Sequence, residues 1–234
     1  MSSQRRIGML LFPRLTQLDL TGPYEVLARL PDTVVHLVAH GLEPVKTDRG
    51  LMIVPTVTYV DCPPLDVLVV PGGPGQQELM EDAGVLEFVR RQAAHAQYVT
   101  SVCTGSLVLG AAGLLKGKRA TCHWAAIDHL TALGAIPVHE RVVMDGNVVT
   151  CAGVASGIDF ALTLAAVLEG ELVASEIQLQ IEYDPAPPFR SGSPRTATAE
   201  TVAALRHRLA ELNEARRVVA NRIGRQLGVP ASTI

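Results

Sequence analysis

Two kinds of hydrophobic run alternate along this chain. Ile7 to Phe12 is continuously apolar and stops at Pro13, as a first strand buried on both faces would. Val34 to Ala39 predicts a second strand, Met52 to Val57 a short extended piece, Asp66 to Val70 a buried strand, and Tyr98 to Val102 a strand of alternating β-branched residues. Between and after them the spacing becomes helical. Tyr24 to Leu30 follows Pro23, which suits a first helical turn. Gly84 to Ala96 has crossover character, and small and aliphatic residues run from Gly105 to Gly113. Farther on, Ala120 to Cys122 predicts a short strand and the residues up to Leu133 a helix. Val142–Met144 and Val148–Cys151 flank Asp145-Gly146-Asn147, a hairpin signal. A helix is expected from Ile158 to about Glu169. The segment from Tyr183 to Pro194 is extended and proline-rich, and Ala199 to about Leu227 reads as one long amphipathic helix.

Strands alternating with helices predict an α/β fold, a mostly parallel sheet with helices on both faces. Composition agrees: 48% of residues are hydrophobic but only 4% aromatic, so the interior is built from Val, Leu, Ala and Ile. At 234 residues one domain over 1–234 is expected, with 195–234 a C-terminal helical extension packing on the body or on a dimer partner. A net charge of −3 gives no electrostatic reason to expect nucleic acid or an anionic membrane as partner. In the last helix Arg206, Arg208, Arg216, Arg217, Arg222 and Arg225 are interleaved with Glu200, Glu211 and Glu214, the pattern of a solvated face. No stretch is long enough to span a bilayer. Four scattered cysteines without a C-x-x-C pair point away from structural zinc and toward a reducing, cytoplasmic setting.

The chemistry concentrates where strands pass into helices. At Tyr98-Val99-Thr100-Ser101-Val102-Cys103-Thr104-Gly105-Ser106 a strand feeds directly into a helix, so Cys103 sits on the bend as a nucleophile does on an elbow. Unpaired N–H groups at the helix start favour thiolate over thiol. Asp19 lies just past the first strand, as a helix cap or turn-forming carboxylate, or as a catalytic group. Pro71-Gly72-Gly73-Pro74-Gly75 after the third long strand is either a plain turn or a cradle whose backbone N–H groups receive negative charge. Ala152-Gly153-Val154-Ala155-Ser156-Gly157 is a second junction of small residues and could wall the same pocket. His123 reads as a structural residue or a base. Cys122 and Cys151 lie in apolar strand patterns as inert thiols, and Cys62 is assigned no role.

Taken together, Leu18-Asp19-Leu20-Thr21-Gly22-Pro23, Val70-Pro71-Gly72-Gly73, the segment from Thr100 to Leu115, Gly117 to Thr121 with His123-Trp124, Gly157 to Leu162 and Glu182 to Phe189 resemble the ThiJ/PfpI superfamily, related to class I glutamine amidotransferases. The resemblance covers nearly the whole chain. It implies a flavodoxin-like α/β sandwich, a homodimer, and no metal or organic cofactor. Many relatives carry a glutamate after the first strand, and peptidase-like and glyoxalase-like members carry a histidine after the cysteine. Here Asp19 and Thr104 stand in those places, which implies the branch that adds water to small-molecule isocyanides and releases N-substituted formamides. On that basis Cys103 is the expected nucleophile and Asp19 the acid and base. The Gly73 and Thr104 N–H groups are expected to stabilise charge, with the Thr104 hydroxyl orienting substrate or water, and Gly72, Ala152 and Gly153 to form the pocket wall. The competing expectations are a ligand-sensing domain or a redox sensor built on Cys103. Only one helix is expected after Pro194, too little for a fused DNA reader.

Overall fold

The computed structural model describes residues 4–230. The chain runs β1 (Arg5–Leu10), α1 (Gln17–Leu27), β2 (Thr33–Ala39), β3 (Val45–Lys46), β4 (Met52–Ile53), β5 (Val57–Thr58), β6 (Val67–Val70), α2 (Gln76–Leu79), α3 (Ala83–Ala93), β7 (Tyr98–Val102) and α4 (Gly105–Ala111). It continues as β8 (Arg119–Ala120), α5 (His129–Ala132), β9 (Ile136–Pro137), β10 (Val142–Asp145), β11 (Val148–Cys151), α6 (Ser156–Glu169), α7 (Glu171–Gln180), α8 (Ala199–Arg208) and α9 (Ala210–Gln226).

Seven strands form the central sheet in the order β10-β11-β7-β6-β1-β2-β5, and every pairing is parallel except the β10–β11 hairpin. β6 is buried along its whole length, as its unbroken Val-Leu-Val-Val run demands of a strand covered on both faces. The core around it is aliphatic, with Phe88 and Phe160 its largest fully buried side chains. The result is a flavodoxin-like α/β sandwich. β11, β7, β6 and β1 are neighbours, so their carboxyl ends open side by side onto one edge of the sheet.

Local structure departs from the sequence expectation in four places. α1 begins at Gln17 and carries Pro23 inside it, so Asp19 stands in the first helical turn rather than in a loop. The proline is tolerated because its missing N–H would have served only the Asp19 carbonyl, four residues back. α7 was not foreseen, because Leu172 and Leu179 point outward and leave no apolar stripe to read. Of the strand expected over Ala120–Cys122 only Ala120 is in one, β8, which pairs with β9 in a small separate sheet. The long C-terminal helix is two helices that meet at Leu209. α8 buries no residue, whereas α9 packs against α5, α4 and α2, so contact with the body sets the direction of α9 alone. Residues 1–3 and 231–234 lie outside the described residues.

Candidate active site

Cys103 joins β7 to α4 with φ 58°, a left-handed conformation uncommon for a residue bearing a Cβ. The turn is held from both sides. The Cys103 N–H donates to the carbonyls of Ala152 (2.9 Å) and Cys151 (3.1 Å), and Ser106 Oγ donates to the Cys103 carbonyl (3.2 Å). Backbone N–H groups of Thr104 and Val154 point at the sulfur.

Asp19 meets that sulfur from α1. Its carboxyl is fully buried; Oδ2 accepts the Gly72 N–H at 3.0 Å, Oδ1 has no hydrogen-bond partner, and the Cys103 side chain is near enough to pull the carboxyl pKa down. None of the N–H groups of α1 uses the carboxyl, which removes the helix-cap reading. Gly72 does not line the cavity beside the elbow, contrary to the expected wall role; it is a point of close contact between Asp19 and Thr104. A Cβ built on it would lie 2.5 Å from the Thr104 nitrogen, 2.6 Å from Thr104 Oγ1 and 2.9 Å from Asp19 Oδ2, so only glycine lets the turn close on these groups.

Two expectations need correction. The Gly73 N–H is not free to receive developing charge, because it donates to Thr104 Oγ1 at 3.1 Å. The donors around the sulfur are the N–H of Thr104, one of the two named from the sequence, and that of Val154, which was not. Nor is the resting thiolate favoured. Burial pushes the Cys103 thiol well above its ordinary range, and the neighbouring Asp19 charge adds to the rise. The two N–H groups oppose this but cannot match it, since desolvation of a fully buried group outweighs the first turn of a short helix. Burial likewise lifts Asp19 to about 7; its hydrogen bonds to Cys103 and Gly72 pull the other way, and the charge of Asp48 adds a little. At neutral pH the pair thus holds more protons than two ordinary side chains would.

Ala152 and Gly153 lie beside the elbow and line a cavity of about 500 Å³ together with the apolar Trp124, Ile127, Val154 and Pro194 and the polar His139, Glu140, Arg141 and Arg195. Cys103 and Asp19 adjoin it and do not line it. His123 is in its wall, with Nδ1 accepting the Ala125 N–H at 3.3 Å. Burial, helped by the charge of Arg216, lowers His123 to about 4 and keeps it neutral. Arg206 of α8 lies over the Trp124 ring at 5.8 Å. Among the described residues no group of three His, Cys, Asp or Glu side chains is placed to hold a metal ion, and no helix is long and apolar enough to cross a membrane.

Sequence reasoning missed two participants. Val154 was noticed only as part of a run of small residues. Arg216 was assigned to a solvated face, yet it is buried and reaches the Gly73 turn. Its position was legible in retrospect, because it shares a stripe with Val219, Ala220 and Ile223, all buried on α9.

An open α/β sheet with a cysteine on a strained strand-to-helix turn and a carboxyl against the thiol defines a class, and the DJ-1/PfpI family model matches residues 5–167. The chain belongs to that family. Within it, the chain is 58% identical over 224 residues to the isonitrile hydratase of Pseudomonas putida, spanning 96% of this chain and 98% of that one. A crystal structure of a ThiJ/PfpI family protein from Pseudomonas syringae superposes with a TM-score of 0.91 at 45% identity, covering 93% of this chain and 90% of the other. A glutathione-independent glyoxalase of Caenorhabditis elegans is more distant, 34% identical over 55% of this chain and 69% of its own.

Proposed function

We propose that this protein is an isocyanide hydratase, an enzyme that converts isocyanides and water to N-substituted formamides. The observation that carries the reading is the likeness to the Pseudomonas putida isonitrile hydratase, sustained over 96% of the chain. The contact between Asp19 and Cys103 supplies the chemistry that such a reaction needs.

The terminal carbon of an isocyanide accepts a nucleophile and becomes basic as it does so. The Cys103 sulfur bonds to that carbon, and the thiol proton, passed through the Asp19 carboxyl, is delivered to the same carbon. The product is a covalent thioimidate, with one C–S and one C–H bond formed. Asp19, again ionised, takes a proton from water as the water oxygen bonds to the thioimidate carbon, and passes that proton to the nitrogen. The tetrahedral adduct collapses: its hydroxyl proton passes through Asp19 to sulfur as the carbon–oxygen double bond forms and the C–S bond breaks, and the formamide leaves with the thiol restored. The Thr104 and Val154 N–H groups support negative charge at the sulfur, and the Thr104 hydroxyl, which accepts the Gly73 N–H, ties the glycine turn to the elbow. The raised proton affinity of both groups suits this cycle, because a thiol that releases its proton only to an approaching electrophile is protected from idle oxidation. That favours an enzyme over a redox sensor. A DNA-reading role is disfavoured because α9 spends its apolar stripe on the body.

The cavity beside Ala152 and Gly153 suits an apolar substituent of the isocyanide. The chain is read as one domain whose C-terminal helices complete the fold, working as a cytoplasmic homodimer; exposed Leu172 and Leu179 on α7 offer apolar surface for a second subunit. The test is incubation with a panel of isocyanides, assayed for formamide, with intact-mass detection of an adduct on Cys103. Formamide and adduct together are expected, and their absence across the panel refutes the reading.

A further inference from the structure

Arg216 comes from α9, outside residues 5–167 matched by the family model, and ends against the turn that organises the site. Its guanidinium is buried and makes three hydrogen bonds: Nη2 to the Gly73 carbonyl (3.3 Å), Nε to Gln76 Oε1 (3.1 Å) and Nη1 to Asn213 Oδ1 (3.2 Å). All three acceptors are neutral. Among the described residues no carboxylate lies within ion-pair distance of it; Glu214, two residues back, is bound to Arg217 at 2.5 Å. A buried cation without a counter-ion is costly, and a negative charge forming beside it would be stabilised by it.

The turn it grips is the one that holds the reacting groups. The Gly73 carbonyl accepts from Arg216 and from the Gln76 N–H, the Gly73 N–H is bound to Thr104 Oγ1, and the Gly72 N–H is bound to Asp19 Oδ2. The ionisable groups around the guanidinium are Cys122 and His123 after β8, Cys103 on the elbow and His129 on α5, the last also facing the paired Glu214 and Arg217 of α9. Burial keeps the histidines neutral. Although the Cys122 thiol is the stronger electrostatic partner of the guanidinium, burial raises it to about 11 and keeps it protonated at neutral pH. Cys103 with its partner Asp19 is then the place where a compensating negative charge can form.

We propose that Arg216 is a positioning residue of this site: it fixes the Gly72–Gly73 turn that presents Asp19 and Thr104, and it supplies the positive charge against which the Cys103–Asp19 pair becomes negative. The inference rests on the hydratase reading for its consequence in turnover, but not for its consequence in thiol reactivity.

The test follows alkylation of Cys103 by iodoacetamide against pH, read by peptide mass spectrometry, beside formamide production. Arg216→Met removes the charge at similar volume, Arg216→Lys keeps it, and Val219→Ala loosens the same helix without touching the turn. In Arg216→Met the alkylation midpoint is expected to rise by about one pH unit, and kcat to fall about tenfold or more with KM changed less than about twofold. Arg216→Lys is expected to restore the midpoint, and Val219→Ala to lower the melting temperature without moving it. A folded Arg216→Met with an unmoved midpoint overturns the proposal, as does a Val219→Ala midpoint that shifts equally. If Arg216→Met does not fold, Arg216→Lys decides: an unmoved midpoint supports the role of charge, and a raised one overturns it. Loss of formamide by the unsubstituted protein would refute the hydratase reading while leaving the alkylation result interpretable.

Discussion

Replacing Asp19 by Asn should make this protein more stable and inactive at once. The carboxyl is fully buried, and its pKa stands at about 7 rather than the ordinary 3.8, chiefly because burial penalises the ionised form. The folded state therefore holds the Asp19 proton more tightly than the unfolded state does. Below about pH 4 both states are protonated and the group has no effect on stability. Between about pH 4 and pH 7 the unfolded chain has released the proton and the folded one has not, so stability falls by about 1.4 kcal/mol per pH unit. Above about pH 7 both are ionised and the full loss, about 4 kcal/mol, is in place. Asn cannot ionise, and its carbonyl oxygen can still accept the Gly72 N–H. The variant is expected to match the parent to within about 1 kcal/mol at pH 4 and to exceed it by about 4 kcal/mol at pH 8, or roughly 10 °C in melting temperature for a chain of this size. Urea unfolding of both proteins from pH 4 to pH 9 at constant ionic strength measures the difference directly. Parallel stability profiles, or a variant less stable than its parent at pH 8, would refute the claim that the buried carboxylate is held at a cost. Turnover should be lost throughout, since the amide can neither carry the thiol proton to carbon nor accept one from water.

Other consequences are equally concrete. Cys103→Ala should abolish formamide production and Cys103→Ser should nearly do so, both folding normally; full turnover in the alanine variant, measured by product formation, would remove the mechanism. Gly72→Ala sets a methyl group 2.5 Å from the Thr104 nitrogen and should cost activity more than about a hundredfold, with a loss of stability visible in thermal melts. Trp124→Ala strips one apolar wall of the cavity beside the elbow and should raise KM about tenfold for a bulky apolar isocyanide, leaving KM for methyl isocyanide within about twofold.

Much of this protein was legible in its sequence because the relevant signals are local. Unbroken runs such as Val67–Val70, the glycine-proline turn after them and the small residues around Cys103 each announce their own geometry within a few positions. Periodicity told strand from helix, and the parallel sheet followed from their alternation. That was enough to put Asp19, Gly72, Cys103 and Ala152 at carboxyl ends of strands and to expect them in one crevice. Where a local signal was weak the reading failed, as at α7 with its outward leucines and at Leu209, where one helix becomes two.

Only the tertiary structure decided how charge is distributed in that crevice. A helix start beside Cys103 argues for a thiolate when nothing else is known; packing the elbow under four strand ends removes water and reverses the preference. The same burial turns Asp19 from an ordinary carboxylate into a proton holder, and gives the Gly73 N–H to Thr104. Arg216 is separated from Gly73 by 143 residues, and no spacing rule links them. Which polar groups lose water, and which then find one another, depends on contacts between distant segments, and that information exists only once the chain has closed on itself.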